Sequence, residues 1–401
     1  MIPVREAIQI ILANTSTLPP ESIPLSQALG RILAEDIIAD TDLPPFDRAQ
    51  MDGYAVRAAD VERTPAELRI VGESAAGAGW HHEMKPGEAV RIMTGAPVPQ
   101  GADSVQQVEL TREVNGAGTV EILEPAQTGR SIVRQAAEIK AGATVLRAGE
   151  EINAQAIATL ASFGYAQVKA GRQPRVAVMA TGSELVNVDQ KPARDQIRDS
   201  NNYTIEAYAK PAGATVERVP LAGDDTELLK RQMAAALEHC DMLITSGGVS
   251  MGVYDFTKTA FRELGVEIFF ERVALKPGKP TVFGKIGDKL VFGLPGNPVS
   301  VAVTFNLFAR TALRAMQAAT ETMLPEVTTV LERDVKASPD RESYLPAVLR
   351  TDEHGRMLAA PLKWGGSSDF VSFSRANGLI IVPAGAAFAA GDGAQCLRLP
   401  C

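Results

Sequence analysis

At 401 residues the chain is longer than one hydrophobic core usually serves, and at about 100–200 residues per domain it should hold two to four. Its 48 acidic against 40 basic residues leave a formal charge of -8, which excludes a protein that grips nucleic acid or an anionic membrane by bulk charge. The 45% hydrophobic and 22% charged content excludes a disordered or fibrous chain, and 34 glycines with 25 prolines promise many turns.

Val4, Ala7, Ile8, Ile11 and Leu12 stand at helical spacing behind Pro3, so the spacing predicts a helix over 4–12. A second short helix is expected after Ser26, with Ala28, Leu29, Ile32 and Leu33 as its apolar face, until Asp40-Thr41-Asp42-Leu43-Pro44-Pro45 breaks the pattern. Between 46 and 133 the helical period vanishes. Alternating runs at 68–71, 89–92 and 119–123, set off by glycine and proline, predict an all-β insertion. Asn153 is a fitting cap for a helix over 154–163 that Gly164 closes, so the first domain is interrupted by that insertion. Beyond Pro174, strands at 176–180, 214–219, 242–245 and 290–292 alternate with helices near 202–211, 224–239, 255–264 and 298–317. Alternation of that kind predicts a doubly wound parallel sheet. Strands near 327–335, 345–350 and 379–383 predict a small β domain at the end. The expected organisation is a split domain of residues 1–43 and 134–173, an inserted β domain of 44–133, an α/β domain of 174–322 and a C-terminal β domain of 323–401.

Three strands of the α/β segment run into glycine-bearing loops: Thr181-Gly182-Ser183-Glu184, Ser246-Gly247-Gly248-Val249-Ser250 and Gly293-Leu294-Pro295-Gly296-Asn297-Pro298. In open α/β sheets ligands sit at the carboxyl ends of strands, where turn amides and helix N-termini face one crevice, and glycine lets an anion approach the backbone. One such loop alone reads as a tight turn; three in one sheet point to a ligand that carries phosphate. Neither G-x-G-x-x-G nor G-x-x-x-x-G-K-[ST] is present, so the cradle is of another kind. Glu184 and Asp255 flank the loops, and carboxylates beside a phosphate site repel the ligand unless a hard cation such as Mg²⁺ bridges them. Asp224 and Asp225 fit that role or plain helix capping. Lys276-Pro277-Gly278-Lys279-Pro280 gives two lysines stiffened by prolines, a compact site for an oxyanion.

Cys240, Cys396 and Cys401 form no C-x-x-C pair and the four histidines no H-E-x-x-H, so disulfides and thiolate or imidazole metal sites are not expected; oxygen ligands and a reducing cytoplasm are. No apolar run has the length of a membrane span, and the first residues lack a basic region followed by an apolar block.

Met51-Asp52-Gly53-Tyr54-Ala55-Val56, Ile92-Met93-Thr94-Gly95-Ala96-Pro97-Val98-Pro99, Thr181 to Leu185, Gln196-Ile197-Arg198-Asp199-Ser200-Asn201, Ser246 to Ser250, Lys276 to Pro280 and Gly293 to Ser300 together resemble the molybdopterin molybdenumtransferase family, which includes the bacterial molybdenum-insertion enzyme and the E domain of gephyrin. The resemblance runs through nearly the whole chain. It implies a homodimer of four-part subunits ending in a β-barrel-like domain. The implied reaction inserts molybdate into adenylylated molybdopterin with the help of Mg²⁺, cleaves the phosphoanhydride and releases AMP. Transient contacts with the molybdopterin adenylyltransferase and with cofactor-receiving enzymes are implied as well.

Carried over by position, Glu184, Asp255 and one of Asp224 and Asp225 would position metal and nucleotide, Asp52 would reach the site from the partner subunit, and Lys276 and Lys279 would hold molybdate. Thr94, Thr181, Gly182, Ser246, Gly247, Gly248, Ser250, Gly293, Pro295, Gly296 and Asn297 would bind the substrate, with Ser367 and Ser368 from Trp364-Gly365-Gly366-Ser367-Ser368. The chain departs from the family at Arg134-Gln135-Ala136-Ala137-Glu138, where Glu138 replaces an aspartate near the metal, at Ser183, and at Pro346, where an arginine is common and Arg341 is the nearby cation. The alternatives are a tungstate-preferring paralogue, an adenylyltransferase, which the extra β domains oppose, and a non-catalytic scaffold.

Overall fold

In the computed structural model, which describes residues 1–114, 118–221, 225–248 and 256–400, the first apolar stripe forms the helix Val4–Asn14, with Val4, Ala7 and Ile11 buried and Pro3 just ahead of the first turn. The helix expected after Ser26 does not form. A 3-10 turn, Leu25–Gln27, stops at Gly30, whose φ of +76° ends helical progress. Ile32 and Leu33 then run extended, bridged to Glu151 and Ala170. Tertiary pairing buries those two neighbours at once, which their spacing alone had suggested a helix would do.

The chain falls into two compact units, one of residues 36–147 and 158–165 and the other of 1–35, 148–157 and 166–401. The first unit carries a six-stranded sheet in the order Ser104–Gln107, Gly53–Val56, Glu88–Ile92, Ala66–Ser74, Thr119–Ile122 and Thr111–Val114, which is the expected β insertion. Tyr54, Val56, Leu68, Ala89, Val120 and Ile122 form one of its apolar cores. The helix Ala154–Ser162 begins at Asn153, whose Oδ1 accepts from Ala156 N at 2.8 Å, and Gly164 follows it at φ +76°.

The second unit holds a six-stranded α/β sheet in the order Thr215–Arg218, Arg175–Ala180, Met242–Ser246, Lys289–Leu294, Val282–Ile286 and Glu267–Phe270. The first four strands are parallel, while Val282–Ile286 runs against both neighbours. Its reversal follows from a tight hairpin into Lys289, a direction that an apolar run does not encode. Along Arg175–Ala180, Val176 and Val178 face a core that includes Ile11, Ile244, Phe292 and Phe305, and Ala177 and Met179 face one with Leu229, Met233 and Phe261. Burial on both faces explains the uninterrupted apolar texture of these strands.

The C-terminal strands close on themselves. Glu342–Thr351, Met357–Pro361, Glu326–Leu331, Gly393–Arg398 and Gly378–Val382 follow one another around a barrel that the pairing of Glu342–Thr351 with Gly378–Val382 completes. Leu275–Lys276, from the α/β region, adds to this barrel in parallel, with Lys276 opposite Ser343. No helix among the described residues is long and apolar enough to cross a membrane.

Candidate active site

Arg175–Ala180, Met242–Ser246 and Lys289–Leu294 end in register, Ala180 opposite Ser246 and Ser246 opposite Leu294. From Arg175–Ala180 the chain first builds the edge strand Thr215–Arg218 and then Met242–Ser246 on the other side, so the strand order reverses there. A reversal of this kind opens a crevice above the sheet. It holds a cavity of about 1590 Å³ lined by Thr181, Gly182, Glu184, Ser246, Gly247, Gly248, Pro295, Gly296, Asn297 and Ser368. The loops are so closely packed that a Cβ at Gly247, where φ is +93°, would stand 2.4 Å from the Thr181 carbonyl oxygen. One at Gly248, φ +65°, would stand 2.2 Å from Thr257 Oγ1. Glycine is required here by backbone conformation and by space.

Part of the backbone holds the frame together. Thr181 N donates to Ser246 O at 2.9 Å and Gly247 N to Leu294 O at 3.2 Å. A bound anion therefore falls to the amides beyond these two. The Asn201 side chain donates to Ser246 Oγ at 2.8 Å and to Gly296 O at 2.7 Å, and Ser246 Oγ lies 3.1 Å from Pro295 O. Asp199, also in the cavity wall, is buried, and burial pushes its carboxyl above the usual range against the N–H groups of Asn202 and Asn201.

A second cavity of about 640 Å³ shares Pro280, Pro295 and Asn297 with the first and is lined by Lys276, Lys279, Ser300, Lys336, Arg341, Trp364 and Ser367. Four of its side chains are cationic and one, Asp334, is anionic, a balance suited to a small oxyanion. Barrel pairing at Ser343 brings Lys276 there. Asn297 donates to Ser367 Oγ at 2.8 Å and Val299 N to Ser367 O at 3.0 Å, which pins the barrel's serine loop to the start of the helix Pro298–Thr304. Pro346 lies inside Glu342–Thr351 opposite Leu379, whereas Arg341 lines the cavity and pairs with Asp340 at 3.3 Å.

The remaining expected residues lie elsewhere. Gly293 is inside Lys289–Leu294, paired with Thr245 on one side and Val282 on the other, and lines neither cavity. Asp225 caps the helix Thr226–His239 through Leu228 N at 3.0 Å, the structural alternative for that residue. Asp224, Ser250 and Asp255 lie outside the described residues. In the other unit, Asp52 Oδ1 accepts from the N–H and the hydroxyl of Thr94, both at 2.7 Å, and the Thr94 N–H holds its carboxyl below the ordinary value. Glu138 pairs with Arg48 at 3.3 Å.

No cluster of three potential metal ligands occurs among the described residues. The exposed Glu184 is a hard oxygen donor in the cavity wall, which the buried Asp199 also lines, and Mg²⁺ is suited to one or two carboxylates completed by water and substrate phosphates. Lys336 and the Asn201 contact were not foreseen. Lys336 carries no local signal, since its cavity is assembled from strands distant in sequence.

Comparison with known proteins accounts for the whole arrangement. Residues 2–164 match the MoeA N-terminal region (domain I and II), 177–315 a probable molybdopterin binding domain, and 328–399 the MoeA C-terminal region (domain IV). A molybdopterin molybdenumtransferase of Bacillus subtilis is 36% identical over 96% of this chain and 90% of its own length. One of Staphylococcus aureus is 36% identical over 96% of this chain and 92% of its own. The crystal structure of a molybdopterin biosynthesis MoeA protein from Pyrococcus horikoshii OT3 superposes with a TM-score of 0.85 at 28% identity, covering 99% of this chain and 100% of that one. Motifs, strand-end loops and full-length similarity agree: the chain belongs to the MoeA family of molybdopterin molybdenumtransferases.

Proposed function

We propose that the chain inserts molybdate into adenylylated molybdopterin, with phosphoanhydride cleavage and release of AMP. As a family member it is an enzyme of molybdenum cofactor biosynthesis, a molybdopterin molybdenumtransferase. The observation that carries the finer reading is the pair of adjoining cavities: a roomy, glycine-walled one at the strand ends and a smaller, lysine-rich one beside it, sharing Pro295 and Asn297. A substrate that joins a bulky phosphorylated ring system to a site for a small oxyanion fits that layout.

The pterin phosphates would lie against Gly182, Gly248 and Gly296, with Thr181, Ser246, Asn297 and Ser368 around them. Lys276 and Lys279 would hold the substrate molybdate and oppose charge that develops on oxygen in the transition state. A molybdate oxygen or water attacks phosphorus, the anhydride P–O bond breaks and AMP leaves, so no protein nucleophile is needed. Glu184 and Asp255 would hold Mg²⁺, together with Asp224, since Asp225 already caps a helix. When bound, Mg²⁺ neutralises phosphate charge. The active form would be a homodimer of four-part subunits in which Asp52, held by the N–H and hydroxyl of Thr94, serves the partner subunit's site, with Glu138 as a further carboxylate for the metal. A transient contact with the molybdopterin adenylyltransferase would deliver the substrate.

The test supplies purified protein with adenylylated molybdopterin, Mg²⁺ and molybdate and follows AMP, with tungstate in parallel. AMP release that rises with molybdate supports the reading; release only with tungstate favours the paralogue, and none at all overturns it.

A further inference from the structure

We infer that Asn201 is the positioning residue that fixes the gap between the two loops of the phosphate cradle. This rests on the cradle reading above. The sheet ladder joining Met242–Ser246 to Lys289–Leu294 ends where Ser246 faces Leu294, and Gly247 N to Leu294 O is the last backbone bond across it among the described residues. Beyond that point the loops still touch, since a Cβ on Gly296 would come within 3.6 Å of Gly247 Cα. Side chains take over the ladder's task there. Asn201 Nδ2 reaches Ser246 Oγ on one loop at 2.8 Å and Gly296 O on the other at 2.7 Å, and Ser246 Oγ continues to Pro295 O at 3.1 Å.

The staple is built on a firm base. Asn201 is the first residue of the helix Asn201–Ala209 and is 9% exposed, and Ser246 is 1% exposed. Asp199 Oδ1 accepts from Asn202 N at 3.1 Å and holds the turn that presents it. Asn201 Oδ1 is buried and finds no partner among the described residues. An unmatched buried carbonyl is a liability that a residue serving packing alone would not carry, and such exceptions gather at sites of function. Two loops held at one spacing can present their amides to a phosphoanhydride together.

The test measures inorganic pyrophosphate binding by calorimetry, and AMP release, for the full-length protein and for Asn201→Ala, Asn201→Asp, Ser246→Ala and the Asn201→Ala/Ser246→Ala pair. Asn201→Asp keeps shape but turns an acceptor toward the Gly296 carbonyl. The inference expects at least a tenfold loss of pyrophosphate affinity in both Asn201 variants, unchanged molybdate binding, and a double variant little worse than the singles, because one network is cut. Should Asn201→Ala not fold, Asn201→Asp and Ser246→Ala carry the test. Wild-type affinity in the folded variants, independent additive losses, or no pyrophosphate binding by the parent protein overturns it. A parent that binds pyrophosphate with these couplings yet releases no AMP supports the staple and refutes only the reaction.

Discussion

Replacing Gly248 by alanine tests the cradle at its tightest point. Gly248 holds φ +65°, a left-handed conformation that costs an L-residue roughly 1–2 kcal/mol. The added Cβ would stand 2.2 Å from Thr257 Oγ1 and 3.1 Å from Thr181 Oγ1. Thr257 is fully buried and its hydroxyl donates to Gly247 O at 3.1 Å, so it does not swing away freely. Restoring ordinary contact therefore moves the loop by about 1 Å, a displacement able to cost on the order of 100-fold in rate, or about 2.7 kcal/mol on the barrier. Gly265→Ala is the control. Gly265 has φ +81° but none of the described residues within 4 Å of an added Cβ, so it bears the conformational cost alone. Thermal melting should show about 1–2 kcal/mol lost in Gly265→Ala and a larger loss in Gly248→Ala, which adds the clash with Thr257, whereas steady-state AMP release should fall about 100-fold only in Gly248→Ala. Adding Thr257→Ala, which removes the 2.2 Å contact, should recover part of that activity. Gly248→Ala with the activity of Gly265→Ala would refute the claim that loop position matters.

Lys279→Ala should raise the molybdate concentration needed for half-maximal rate by about 10- to 100-fold, the worth of one charge-assisted hydrogen bond, while the melting temperature hardly moves; an unchanged molybdate dependence would remove the lysine from the oxyanion site. Asp241→Asn probes a structural pair. Burial raises the Asp241 carboxyl, but the Arg172 guanidinium, at 2.8 and 3.0 Å, and Arg175 N, at 2.7 Å, outweigh it and leave it below the ordinary value. A depressed carboxylate contributes stability that is present above its unfolded value of about 3.9 and is lost as pH falls through the folded value. The variant should be less stable by about 2 kcal/mol at pH 7, after allowance for the part-exposed Arg172, and denaturant titrations should show the gap closing below about pH 4. A gap that stays constant down to pH 3 would contradict that linkage.

How much of the site could be read in advance depended on whether its chemistry was local. The loops after Ala180 and Ser246 were legible because glycine turns directly follow apolar runs in the sequence, and the two strands end in register at the cavity. Lys276 and Lys279 were legible as cations. What brings them to Ser367 is pairing between Lys276 and Ser343 and closure of the barrel, which are long-range events with no local signature. The same limit hid Lys336. At Ala28 to Leu33 the spacing favoured a helix, but Gly30 and bridges to Glu151 and Ala170 decided otherwise. Val282–Ile286 reads as a buried strand in either direction, and only the hairpin at Gly287 sets its sense. Asn201 closes the motif Gln196 to Asn201, yet its contacts with Ser246 and Gly296 exist only once three strand ends are side by side.

The central claim is that one site couples anhydride cleavage to capture of molybdenum. A single-turnover experiment measures it most directly, with enzyme in excess over adenylylated molybdopterin, Mg²⁺ and molybdate present, and AMP counted against molybdenum that stays with the pterin after gel filtration. Coupling predicts one AMP for each molybdenum atom retained, and neither product when molybdate is left out. AMP formed at full rate without molybdate, or molybdenum retained with the anhydride intact, would contradict it.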